Sequence, residues 1–314
     1  MHTVYVDPRL TDAQRLERLY DGQLFAFTPR RTTQALCDFA REMIVEAFAP
    51  HDPVEAQYHM PVEEWVARFG PVKPAFIHHP RTRELLRNVL VDVGCDADET
   101  YVDVPRLRGV TSDGYLTSGV GYAHHPHRDT WYSAPMAQLN WWLPIFPFDT
   151  ESSMAFHPRY WSEGVRNGSA EFDYYEWNAV GRKDASKHIT SDTRKQPKAE
   201  ERVELDPQVR VVCDVGGIVL FSGAQMHSTV PNTSGRARFS IDFRTVNLAD
   251  LRAGRGAANV DSAPRGTSLR DFVRCSDLAP MPEDVVRRYD RGYEGGERSD
   301  RVLVYEPEAV GAES

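Results

Sequence analysis

Cysteine is scarce in this chain: there are four in 314 residues, and Cys37, Cys95, Cys213 and Cys275 lie far apart with no Cys-x-x-Cys pair among them. A disulfide framework is thereby disfavoured, and free buried thiols in a reducing, cytoplasmic compartment are expected. Lysine is also rare beside arginine, a bias read as GC-rich coding rather than function. Long apolar runs are missing, none approaching the roughly eighteen residues of a membrane span. The start, Met1-His2-Thr3-Val4-Tyr5-Val6-Asp7, lacks a basic-then-apolar leader pattern. An excess of positive charge is missing too: the formal net charge is −9 and the pI near 5.7, which argues against nucleic acid as a general partner. No internal repeat is visible. What is present, 41% hydrophobic and 26% charged residues, is ordinary globular composition. A chain this long can build a core without disulfides or a structural metal. A small-molecule enzyme fits this balance better than a scaffold protein or a membrane partner does.

Patterning places helices first and strands afterwards. Thr11-Asp12-Ala13-Gln14 reads as a capping box opening a helix through Tyr20, and residues 23–28 as a short strand. Leu36, Phe39, Ala40, Met43, Ile44, Ala47 and Phe48 recur at helical spacing, a core-facing stripe. A shorter helix is expected from Val62 to Phe69, stopped by Gly70-Pro71, and another from Glu84 to Val93, stopped at Gly94. From Tyr101 the rhythm becomes short β-like runs punctuated by Gly and Pro: residues 101–110, 119–127, 138–146, 154–156, 209–213, 217–221, 226–230 and 236–246. The expected fold is mainly β with flanking α: a double-stranded β-helix, or jelly roll, supported by N-terminal helices. One catalytic domain is expected, with helical support over 1–100, a jelly-roll core over 101–247 and an arm over 248–314 that holds one weak helix near Glu283–Tyr289. Within the core, residues 160–207 interrupt the β-rhythm with a polar, aromatic insert, expected to act as a lid over substrate.

The chemistry concentrates in His124-His125-Pro126-His127-Arg128-Asp129-Thr130-Trp131. In an extended segment His127 and Asp129 project to one face, and His227 offers a third ligand. Two His and one carboxylate on one side of an ion form the facial triad of non-heme Fe(II) oxygenases. After His227 comes the turn Pro231-Asn232-Thr233-Ser234-Gly235 and a strand with Phe239, Ile241 and Phe243 on one face. Arg238, Ser240, Asp242 and Arg244 take the other. An inward arginine with a hydroxyl two residues on suits a carboxylate. Arg236, Arg238 and Arg244 share parity, so position must choose: Arg236 is only leaving its turn, and Arg244 is expected to lie past the level of His227.

In order, His127-Arg128-Asp129, the strand from Gln138 to Pro144, the strand from Gly217 to Phe221 and His227…Arg238 make the chain resemble an Fe(II)/2-oxoglutarate-dependent oxygenase of the phytanoyl-CoA dioxygenase-like branch. The likeness runs from about Gly119 to Val246, and the oxygenases that tailor oligosaccharide antibiotics of the orthosomycin type are a subgroup of that branch. The resemblance implies that His127, Asp129 and His227 ligate iron and that Arg238 binds the distal carboxylate of 2-oxoglutarate, with Ser240 and Asn140 assisting. It implies Fe(II), 2-oxoglutarate and O2 as cofactor and cosubstrates, and oxidation of a substrate C–H bond by hydroxylation or ring closure. Met154-Ala155-Phe156-His157-Pro158 departs from the branch's Pro-Gly-Ser-His run on the substrate side. Trp131, Tyr132, Trp142, His157, Tyr174, Tyr175 and Trp177 are the candidate substrate contacts, and as a group they favour a cyclic, polar small molecule such as a glycoside or oligosaccharide.

Two competing readings are a metal-dependent hydrolase or cupin-type isomerase and a non-catalytic jelly-roll binding protein. His125-x-His127-x-Asp129 resembles a metal-hydrolase pattern, but Thr130 stands where its last histidine belongs. The sequence leaves the oligomeric state open.

Overall fold

Helix α2 and the strands it packs on fix where everything else sits. In the computed structural model, which describes residues 3–117, 125–178 and 196–290, β1 (Val4–Val6) pairs in parallel with β2 (Leu24–Phe27). Helix α1 (Asp12–Tyr20), which joins them, carries the expected Thr11–Gln14 capping box. Helix α2 (Arg31–Phe48) buries Leu36, Phe39, Ala40, Ile44 and Phe48, with Met43 and Ala47 half-buried on the same side. Leu36, Phe39, Ile44 and Phe48 each contribute roughly 1.5–3 kcal/mol when removed from water, which is why the stripe rather than local propensity decides this element.

Two helical boundaries differ from expectation. Helix α3 runs from Val62 to His78, straight through Pro71 and Pro74, instead of ending at Gly70-Pro71. An interior proline costs about 3 kcal/mol, but the second half buries Val72, Phe76 and Ile77, and that burial offsets the cost. Helix α4 (Pro80–Asp92) starts earlier than Glu84 because Pro80 occupies the first turn, where a missing N–H is harmless. There His79 Nδ1 accepts from the Arg81 N–H.

The expected run 101–110 is two strands, β3 (Thr100–Val102) and β4 (Arg106–Val110), split around Pro105, which has no N–H for a ladder. Then come β5 (Leu139–Pro144), β6 (Met154–Phe156), a single helical turn α5 (Tyr174–Glu176), β7 (Val209–Arg210), β8 (Ile218–Ser222), β9 (His227–Thr229), β10 (Arg238–Asn247), α6 (Leu248–Ala253), β11 (Val273–Arg274) and α7 (Glu283–Tyr289). The larger sheet is ordered β1-β2-β8-β5-β10-β3-β11, with β4 on the first half of β10; the smaller is β7-β6-β9. The larger sheet mixes parallel and antiparallel pairs and does not close, so the jelly roll is open. The run expected over 119–127 lies partly outside the described residues; His127 itself bridges His227, extending the smaller sheet by one pair.

Strand β10 shows the predicted alternation. Phe239, Ile241 and Phe243 enter the core beneath α2 and α3, where Phe239 meets Phe48, Trp65 and Phe69. On neighbouring β4, a Cβ at Gly109 would stand 2.8 Å from the Trp65 ring and 3.0 Å from Phe69, so only glycine lets β4 lie this close to α3. The opposite face of β10 looks into a cavity between the two sheets.

Candidate metal and cosubstrate site

His127, Asp129 and His227 each present one ligand atom, all within 4.8 Å of one another, and form the metal-competent group of the described residues. Different elements supply them: the segment alongside β9 gives His127, the helical turn it leads into gives Asp129, and the first residue of β9 is His227. The backbone knits them together, because His127 and His227 exchange N–H···O bonds of 3.0 Å and the Asp129 N–H donates to Gly223 O at 2.9 Å. His127 Nδ1 lies 2.8 Å from His125 O and His227 Nδ1 lies 3.0 Å from Gln225 O. A carbonyl can only accept, so both Nδ1 atoms carry the proton and both Nε2 atoms present lone pairs towards the cavity. Those Nε2 atoms stand 3.5 and 3.9 Å from Asp129 Oδ1. Burial pushes His227 down to about 4, which keeps the imidazole neutral as ligation requires.

Asp129 is held as a carboxylate against its surroundings. Burial alone would raise its pKa, but the Arg244 guanidinium beside it outweighs that and holds it well below the usual range. Arg244 Nε donates to Asp129 Oδ2 at 3.3 Å, and Gln138 Nε2 donates to the same oxygen at 3.1 Å. This leaves Oδ1 pointing at the two Nε2 atoms. Arg244 also reaches Asp103 and Asp242, each at 3.5 Å. Burial would lower its pKa, but the three carboxylates raise it instead. Asp242 is in turn gripped by Arg108 at 2.6 and 3.2 Å. Arg244 thus lies at the level of the triad and not beyond it: the C-terminal half of β10 runs beneath Asp129, which position counted from His227 does not reveal.

At the other end of the cavity Arg238 is buried, its guanidinium 5.5 Å from the centre of the Trp142 ring, with one Nη donating to Ser152 O at 3.0 Å. Burial pushes it down to about 10, still a cation at neutral pH. Arg238 Nε and Ser240 Oγ are both buried and make no hydrogen bond among the described residues. Arg236 is exposed. The cavity of about 760 Å³, mouth included, has Arg238, Trp142, Asp242 and Asn140 on the side of the larger sheet and Met154 and Thr229 on that of the smaller. Asn140 lines it and accepts from Gln138.

The aromatic candidates divide. Trp142 lines the cavity. Tyr132 stands edge-on to His127 at 5.7 Å and packs on Phe172, which meets Trp177 at 6.1 Å. Trp131 is fully buried away from the cavity, its Nε1 donating to Asp261 at 2.8 Å. His157 is buried between Ser228 Oγ and Leu205 O and takes a structural place. Tyr174 is tied to Asp271, and Tyr175 is buried beside it, so neither ring is free to cover a substrate. Residues 179–195 of the insert lie outside the described residues. Sequence reading overlooked Gln138, whose parity with Asn140 and Trp142 was the available signal, and left the Arg108–Asp242 pair without a role. The His125 carbonyl faces His127 Nδ1, the metal-competent group among the described residues does not include the His125 ring, and the Thr130 hydroxyl contacts Ser262 at 2.7 Å.

The phytanoyl-CoA dioxygenase (PhyH) family matches residues 23–240. No curated protein matches the chain. Among solved structures, it is similar to EvdO2 from Micromonospora carbonacea var. aurantiaca, at 11% identity over 76% of this chain and 91% of that one, TM-score 0.44. It is also similar to the non-heme alpha ketoglutarate dependent carbocyclase SnoK from nogalamycin biosynthesis, at 14% identity over 81% and 93%, TM-score 0.40. A third is AviO1 from Streptomyces viridochromogenes Tue57, at 14% identity over 77% and 97%, TM-score 0.37.

Proposed function

The chain belongs to the phytanoyl-CoA dioxygenase family and so to the Fe(II)/2-oxoglutarate-dependent dioxygenase type, and on that premise we propose that it oxidises a C–H bond of a small, cyclic, polar metabolite. The observation that carries the reading is the unsatisfied buried donor Arg238 Nε, which lines the triad's own cavity; Ser240 Oγ, two residues on in β10, is buried and unsatisfied as well. A buried polar atom left unpaired costs roughly 1–3 kcal/mol, and a carboxylate in the cavity would satisfy the guanidinium. In this reading His127 Nε2, His227 Nε2 and Asp129 Oδ1 hold iron, while Arg238 and Ser240 hold the distal carboxylate of 2-oxoglutarate. Iron, 2-oxoglutarate and O2, when bound, supply the oxidation, with succinate and carbon dioxide as coproducts.

The chain's own residues do the rest. Gln138 and Arg244 fix the rotation of the Asp129 carboxylate, and Asn140 is held by Gln138 at the cavity wall. Trp142 backs the Arg238 fork. Trp142 with Tyr132 offers flat faces to a ring or sugar. Hydroxylation or oxidative ring closure of a glycoside-like specialised metabolite is the reaction we assign.

The test is Fe(II)-dependent binding of 2-oxoglutarate under nitrogen, followed by succinate formation when air is admitted. A hydrolase, an isomerase or a binding protein gives no succinate, and that outcome would end the proposal.

A further inference from the structure

The segment that supplies two triad residues has a second face. His127 and Asp129 look into the cavity; Arg128, Thr130 and Trp131 look away from it. Arg128 is only 1% exposed, and its guanidinium is used on several sides at once. Nε donates to Asp261 Oδ2 at 3.0 Å, Nη1 to Ala224 O at 2.7 Å, and Nη2 to the carbonyls of Tyr160 and Glu163, the latter at 2.9 Å. Asp261 is fully engaged in return: Trp131 Nε1 donates to Oδ1 at 2.8 Å and the Val165 N–H to Oδ2 at 3.0 Å. Beside it, Ser262 Oγ and Thr130 Oγ1 share a 2.7 Å hydrogen bond.

These partners come from separate parts of the chain. Ala224 precedes Gln225, the carbonyl that orients His227. Tyr160 and Glu163 are the root of the insert whose Phe172 packs on Tyr132. Asp261 and Ser262 lie beyond β10 and α6, on the C-terminal side of the jelly roll. One buried cation therefore spans the segment carrying His127 and Asp129, the loop carrying His227, the insert and the C-terminal segment. An apolar residue could fill the same volume, and replacing a buried ion pair by well-packed apolar groups is often neutral for stability. It could not hold three carbonyls from two segments and a carboxylate from a third at fixed separations.

We propose that Arg128 and Asp261 are positioning residues of the metal centre, their pair setting the separation of the three ligands, so that the C-terminal segment completes the site. This rests on the triad assignment above, and the experiment separates the two. Co(II) is titrated as an iron substitute into His127→Ala, Arg128→Met, Arg128→Lys, Asp261→Asn and Arg15→Met, with visible Co(II) absorption and thermal unfolding recorded for each. Arg15 is a comparably buried arginine that donates to Val93 O outside the cavity, so its variant reports a merely structural loss.

The expected result is loss of Co(II) binding in His127→Ala. Arg128→Met and Asp261→Asn should bind about 10- to 100-fold more weakly, with altered Co(II) bands at temperatures where they remain folded. Arg128→Lys should fall between, and Arg15→Met should unfold earlier with unchanged Co(II) affinity. If Arg128→Met does not fold, Asp261→Asn decides. Wild-type affinity and spectrum in Asp261→Asn and Arg128→Lys, with binding lost in His127→Ala, would overturn the positioning role alone. Wild-type binding in His127→Ala would overturn the triad assignment and this inference with it. Weakening in Arg15→Met equal to that in the paired variants would reduce the effect to general destabilisation and refute the proposal.

Discussion

Exchanging Arg238 for lysine keeps the charge and removes the fork. The guanidinium is buried, backed by Trp142 at 5.5 Å, with one Nη committed to Ser152 O and Nε directed at no described partner. A carboxylate seated there would take two parallel N–H bonds, which an ammonium cannot reproduce. Hydrogen bonds to a charged group contribute about 1.5–3 kcal/mol each. Losing one of the two while retaining the other should therefore weaken 2-oxoglutarate by about 2 kcal/mol, or roughly 30-fold in Kd. Arg236, two residues earlier and with the same parity, is exposed; Arg236→Lys should change Kd by less than about twofold, as exposed substitutions usually stay within 0.5 kcal/mol. Calorimetric titration of 2-oxoglutarate into the Fe(II)-loaded variants under nitrogen reads both values, with unfolding curves confirming that each variant is intact. A large loss in Arg236→Lys with none in Arg238→Lys would refute the assignment, and with it the argument from unsatisfied donors.

Three further outcomes follow from the same geometry. His127→Ala, Asp129→Ala and His227→Ala should each abolish Fe(II) binding and turnover with the fold intact by circular dichroism; a variant that keeps near wild-type turnover removes that residue from the ligand set. Tyr132→Ala should raise KM for substrate more than it disturbs 2-oxoglutarate binding, whereas Tyr174→Phe, losing its bond to Asp271, should lower Tm by a few degrees and leave KM alone; the reverse pattern, read by steady-state kinetics and calorimetry, would mean the lid aromatics are misassigned. Lys73, half-buried with its ammonium 5.7 Å from the Phe69 ring, is pushed down to about 7 by burial and by Arg108. The unfolded chain thus binds more protons between about pH 7 and the ordinary lysine value, and stability should rise with pH across that window. Urea unfolding of Lys73→Met should show a gain of about 1 kcal/mol over wild type at pH 6 that shrinks by pH 9.5; an equal difference at both pH values contradicts it.

Much of this arrangement was legible before any coordinates, and what was not has physical reasons. Period-2 alternation gave the two faces of β10, and helical spacing gave the buried stripe of α2, because both report directly which side is dry. The split of the candidate metal ligands across a short motif and a distant histidine was also readable, since His127 and Asp129 needed only local geometry to share a face. Helix α3 was misjudged because a proline's local cost is visible in sequence while the tertiary burial of Val72, Phe76 and Ile77 that offsets it is not. Arg244 was misplaced for a related reason: how far one sheet is rotated over the other decides which strand residue lies beneath Asp129, and no spacing along a single strand encodes that. Tyr174 and Tyr175 looked like a lid because a cluster of rings has the same composition whether it faces substrate or packs inward on Asp271 and its neighbours.

Gly109 carries a consequence for how this chamber could be remodelled. It sits on β4 between Arg108 and Val110, both cavity-lining, with the Trp65, Phe69 and Phe239 rings already at the limit of approach behind it. The wall is therefore seated on the helical layer without slack, as a window pane is seated against its stop. Any side chain at that position displaces the pane inward, carrying Arg108 and its grip on Asp242 towards the space where a substrate would lie. Trimming Trp65 or Phe69 gives the pane room to recede. The breadth of the chamber is accordingly set as much by residues that never touch its contents as by those that line it, and changes in substrate size can be accommodated from behind the wall.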